Sequence, residues 1–161
     1  MGYALFAQRK IVLDGQLNSA QLQQTQRSNE QYKLATQTLS LQQQMTSMTT
    51  SQSYELSQKY AELAQVGVNE DGSSNGNTHE QNEEERARIN AEIKAIEQRN
   101  QAELDEINRQ IYMVGIKETA VEMEVKRLDT MVSALQKQLE AVEEAEGKAI
   151  DRATPKFNGV G

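Results

Sequence analysis

The 161-residue chain carries 17 Lys and Arg against 24 Asp and Glu, a net charge of -7, with no Cys, no Trp and one His. This leaves no disulfide framework, thiol nucleophile or thiolate metal site, leaves a His-based zinc site short of ligands, and argues against general nucleic-acid binding. Leu, Ile, Val and Phe total 32 residues, too few for an ordinary globular core.

The first residues show no targeting segment. The apolar stretch from Tyr3 to Ala7 is too short for a signal-peptide core, and Arg9 and Lys10 follow it. Phe6 stands where an N-myristoylation motif wants Ser or Thr. No run approaches the ~18 apolar residues of a membrane span, so membrane insertion is not expected.

Residues 1–66 form a Gln-rich segment, with 14 Gln and a net charge of +1. Leu13, Leu17 and Ala20 open a helical spacing. Leu34, Leu41 and Met48 recur every seven residues, with Met45 between them, and Leu56, Tyr60 and Leu63 continue after a change of phase. This predicts a long helix over 3–66. Between residues 21 and 31 only Leu22 is apolar, so the helix needs a neighbour to be stable.

Residues 67–82, GVNEDGSSNGNTHEQN, hold three Gly and four Asn. Such residues favour turns, and the segment reads as a polar loop. Within it Asp71, Ser73, Asn75 and Gly76 match the opening of an EF-hand calcium loop, but Asn82 stands where that loop has its bidentate Glu. A plain turn is the expected reading, with Asp71, Ser73 and Asn75 as the only candidate metal ligands.

From residue 83 to 154 the chain carries a heptad pattern. Ile107, Val114, Val121, Leu128, Leu135 and Val142 recur every seven residues; Leu104, Ile111, Val125, Val132 and Leu139 form a companion row broken by Glu118. Apolar a and d positions over five heptads predict a coiled-coil helix. Upstream, Ala91-Glu-Ile-Lys-Ala-Ile recurs as Ala102-Glu-Leu-Asp-Glu-Ile after eleven residues, a step that locally unwinds a supercoil. Asn82 is the expected N-cap, ahead of Glu83, Glu84 and Glu85. Gly147 is expected to fray the helix, and Pro155 ends it by residue 154. Residues 155–161 are a tail.

The expected fold is therefore all-α: a long antiparallel two-helix coiled-coil hairpin with a polar connecting loop. A loop centre near residues 74–75 would set Leu13 near Gln136, Leu34 near Gly115 and Leu41 near Asn108. Such a hairpin has a thin core, so self-association is expected to complete it. Leu5, Phe6, Ile11 and Val12, together with Ile150 and Phe157, would converge at one end and are the candidate assembly residues. No catalytic residue or cofactor site is expected: His79 lies in the polar loop, and the abundant carboxylates have no pocket wall to shift them.

Long helices closing a hairpin, a polar loop at the far tip, low Pro, abundant Gln, Ser and Ala, and the absence of Cys and Trp together resemble bacterial flagellin and type III secretion filament subunits. The resemblance lies in architecture and composition across the chain, not in a motif. It implies a structural subunit that self-assembles into an extracellular or secretion-associated filament, exported by a signal-peptide-independent route, with copies of itself as partners and an export chaperone as a further candidate. The strong charge of the second helix departs from that pattern. The alternative is a cytoplasmic coiled-coil scaffold, adaptor or assembly protein. A prefoldin-type holdase is disfavoured, because the loop lacks a strand pattern.

Overall fold

The computed structural model describes residues 2–153. They form two long helices, α1 (Gly2–Ala64, 63 residues) and α2 (His79–Ala153, 75 residues), packed against each other as a hairpin. Among the described residues there is no strand, only an isolated bridge between Val68 and Ser74. Pro155 and Phe157 lie outside the described residues, and α2 runs through Gly147 to Ala153 without the expected fraying. The hairpin divides into two units. One combines Met1–Ala35 with Lys117–Gly161; the other is Thr36–Ile116 and contains the connecting loop.

In the unit with the outer helix ends, Leu13 and Ala20 of α1 pack with Val132, Leu135 and Val142 of α2, and Phe6, Leu17 and Leu139 close over them. Leu128 has no exposed surface and Val121 is buried. Val125 and Leu139, in the companion row, are only half-buried. The loop unit repeats this division, with Ile107 and Val114 buried and Leu104 and Ile111 half-buried. A single facing helix covers one seven-residue row fully and the companion row, at the rim of the seam, only in part, Val132 alone of its apolar members being buried. Glu118 is tolerated at such a rim position, half-buried.

The polar stretch of α1 keeps the same phase. Gln24, Arg27 and Gln31 are half-buried on the seam where the expected pattern has no apolar residue, whereas Leu22 points outward. Gln24 bonds Asp129, and Arg27 Nε lies 3.0 Å from Glu124. Long side chains with apolar stems and polar ends thus continue the stripe, covering the partner helix while their heads meet water or a partner.

The loop differs from expectation at both ends. It spans residues 65–78, because α2 begins at His79 and its N-cap is Thr78 rather than Asn82. Thr78 Oγ1 accepts from the Gln81 backbone N–H at 3.2 Å, and Gln81 Oε1 accepts from the Thr78 N–H at 2.9 Å. This reciprocal capping box satisfies two otherwise orphaned donors. Thr78→Ala is expected to lower stability by about 1 kcal/mol, read by urea titration of the helical circular dichroism signal.

The chain closes on itself before it reverses. Asn69 N–H donates to Ser73 O at 2.7 Å, and Asn75 N–H to Gly67 O at 3.1 Å. This compact turn advances the chain little, so reversal comes later than the sequence midpoint. Lys10 pairs with Glu143, Gln24 with Asp129 and Glu55 with Arg99. Each unit is therefore displaced by about four residues, one helical turn, from the expected register. Leu13 faces the turn around residue 140 rather than Gln136.

Gly67 carries the tightest requirement of the loop. Its φ is +81°, and a Cβ there would lie 2.8 Å from Asn82 Nδ2. Gly72 has φ +83° in open space. Alanine at 72 meets only the backbone cost of about 1 kcal/mol. Alanine at 67 must also displace Asn82, whose Oδ1 is buried, so Gly67→Ala is expected to lose more stability than Gly72→Ala in the same titration.

Candidate assembly surface

In the unit holding the outer helix ends, the seam uses only part of the apolar surface. Leu5, Ile11 and Val12 remain 68%, 71% and 51% exposed, and Ile150 is 45% exposed. Phe6 is half-buried and packs against the hairpin's own core, because it begins the 6–10–13–17–20 stripe that faces α2. Phe157 lies outside the described residues. Leu5, Val12 and Ser19 stand seven residues apart and share one face of α1, while Ile11 lies about 100° around the helix from Val12.

That face borders an open groove of ≈ 660 Å³, lined on α1 by Val12, Gly15, Gln16, Ser19, Ala20 and Gln23, and on α2 by Arg127, Met131 and Leu135. Its floor is made of small side chains, so backbone is accessible from outside. Gly15 has no steric role within the hairpin, since a Cβ there meets nothing within 4 Å. Met131 is 39% exposed and supplies a flexible apolar wall. The heptad rows could not reveal this groove, because Gly15, Ser19 and Met131 all lie off them. A second groove, ≈ 570 Å³, runs beside Phe6, Ala145, Lys148, Ala149, Arg152 and Ala153.

Ion pairs flank the seam. Lys10 Nζ lies 3.0 Å from Glu143, and Lys59 Nζ 2.8 Å from Glu92. Hydrogen bonds from Lys59 to Glu92, from Gln110 to Glu106, from Lys126 to Glu122 and from Lys148 to Glu144 hold these carboxyls below the ordinary glutamate value. Their acceptors raise Lys10, Lys59 and Lys148 in turn. The depressed carboxyls contribute fully above the unfolded glutamate pKa, about 4.3, and lose their contribution as pH falls through their lower folded values. The raised lysines contribute fully below about pH 10.4 and lose it as pH rises through their higher folded values. They are exposed or, at Lys10, Lys59 and Glu92, half-buried at the edge of the seam, and individually weak. The expected result is a flat melting temperature from about pH 5 to about pH 10 with shallow falls on either side, checked by thermal melts across pH.

The candidate calcium ligands are engaged locally. Asp71 Oδ1 accepts from both the Ser73 N–H (3.0 Å) and the Ser73 Oγ (2.5 Å), which lowers its pKa. Asn75 Oδ1 accepts from the Asn77 N–H at 3.1 Å. Each closes an Asx turn of its own, and among the described residues no group of three or more His, Asp or Glu side chains is arranged to hold a metal. No helix among the described residues is long and apolar enough to cross a membrane.

Sequence reasoning missed two buried polar side chains, Gln52 and Asn100, at 8% and 6% exposure. The eleven-residue repeat of α2 marks the neighbourhood of Asn100; nothing in α1 beyond the phase change after Met48 marks Gln52. Comparison with protein-family models, with curated proteins and with solved structures finds no match to this chain.

Proposed function

We propose that this chain is a structural subunit that assembles with copies of itself through the outer-end unit of the hairpin, as the subunit of a bacterial extracellular or secretion-associated filament. The observation that carries this reading is the surface left outside the seam. Leu5, Ile11 and Val12 are at least half exposed, next to an open groove floored by Gly15, Ser19 and Ala20. Burying one large aliphatic side chain contributes about 1.5–3 kcal/mol, so a few such contacts sustain association. The fit is to a helix from a second copy, whose own Leu5 and Val12 stand on one face.

The dense, solvated ion pairing of α2 favours a second reading, a discrete coiled-coil scaffold in the cell. Lys126–Glu122, Lys148–Glu144 and Arg109–Glu106 all lie on exposed surface, which a tightly packed filament core would have to desolvate at a cost. Negative-stain microscopy of concentrated protein separates the two. Filaments that grow on seeding support the first; particles of one small size support the second. Recovery of the protein from culture supernatant, without cleavage near its start, is the matching expectation for export.

A further inference from the structure

We propose that a polar layer at Gln52, Asn100 and Glu103 sets the register in which the two helices of the loop unit pair. Along α1 the inward positions run Leu41, Met45, Met48, Gln52, Leu56, Lys59 and Leu63, so the alternating three- and four-residue spacing is interrupted by two consecutive fours at Gln52. Along α2 they run Ile93, Ile96, Asn100, Leu104 and Ile107, with the same two consecutive fours at Asn100. Each is an eleven-residue step inside a seven-residue pattern, and each locally unwinds the supercoil rather than the helix itself.

The two steps face each other. Gln52 Nε2 donates to Glu103 Oε2 at 2.9 Å, and Glu55 pairs with Arg99 one turn away. Arg99 also donates to Asn100 Oδ1 at 3.4 Å, while the buried Asn100 Nδ2 finds no acceptor among the described residues. A side chain kept in the seam with an unused donor lowers stability, and a lone seam Asn is the best-attested means of fixing coiled-coil alignment.

A slip of one heptad breaks this match in either direction. One way, Gln52 moves beside Ile93 and Ile96 while Asn100 moves beside Met45 and Met48. The other way, Gln52 moves beside Ile107 and Ile111. In both, the buried Gln52 loses its polar neighbour Glu103 and the two eleven-residue steps no longer coincide. The rest of the seam discriminates poorly, because Leu, Met and Ile exchange for one another at similar volume.

The test uses the full chain with Gln52→Leu and Asn100→Leu, singly and combined. Because the chain contains no Cys, spin labels can be placed on cysteines introduced at the exposed positions Gln43 and Asn108. Pulsed electron resonance on a minority of labelled chains diluted into unlabelled protein reads the distance within one hairpin. One narrow distance is expected with the layer intact. The combined variant is expected to melt about 3 °C or more higher and to show an additional population at a different distance, because a slip of one heptad shifts the axial offset between the two labels by about 10 Å. The single variants are expected to fall between. A single unchanged distance in the combined variant overturns the proposal whatever its melting temperature, as does loss of helicity on placing Leu at these seam positions.

Discussion

Leu128→Asp is expected to abolish cooperative folding of the unit that contains it. Leu128 has no exposed surface and stands in the buried row between Val121 and Leu135. Truncation to Ala alone would remove about 2–5 kcal/mol, against a typical total of about 5–15 kcal/mol. A carboxylate adds the cost of desolvating a charge, and the nearest seam cation, Arg27, is already held by Glu124 and Glu30. Far-UV circular dichroism should show loss of helix at room temperature for Leu128→Asp and a clearly lowered urea midpoint for Leu128→Ala. Gln42→Asp, on an exposed position of α1, should stay within about 0.5 kcal/mol of the parent. Equal damage at both positions would mean that the Gln-rich face of α1 is itself buried in an assembly.

Val12→Glu combined with Met131→Glu should have the opposite signature, intact helices with association lost. Both side chains are substantially exposed in the hairpin, at 51% and 39%, so charging them leaves the seam alone. If a second copy covers them, each substitution removes about 1.5–3 kcal/mol of burial, weakening association about tenfold to hundredfold apiece. Gly15→Ala sharpens the distinction. Its Cβ meets nothing in the hairpin, so the change should raise the stability of one hairpin by up to about 1 kcal/mol. In an assembly that approaches the groove floor, the same methyl group should weaken association. Concentration-dependent melting curves report both effects at once.

The seam of α2 was legible because its apolar residues follow one period for five heptads, and Ile107, Val114, Val121, Leu128, Leu135 and Val142 are all buried as that row demands. The course of α1 was only partly legible. Its stripe passes through Gln24, Arg27 and Gln31, residue types that signal a wet face unless a partner helix is already in view. The register was misjudged by one turn because Asn69, Ser73 and Asn75 fold the loop upon itself, a hydrogen-bonding pattern that composition alone does not specify. Thr78 and Gln81 spelled a capping box, yet the Glu run after Asn82 drew the expected start downstream. Among the assembly residues, exposure of Leu5, Ile11 and Val12 agrees with their expected place outside the seam. Phe6 is half-buried against the seam, and its position one step before Lys10 on the stripe is the signal for that contact.

Sedimentation equilibrium of the unmodified chain across a wide concentration range tests the central claim most directly. The expected result is a mass that exceeds one chain and rises with concentration, falling to one chain in the Val12→Glu, Met131→Glu protein while its helical signal is retained. A single-chain mass at every concentration, with the hairpin fully helical, would contradict self-assembly as the function of this surface.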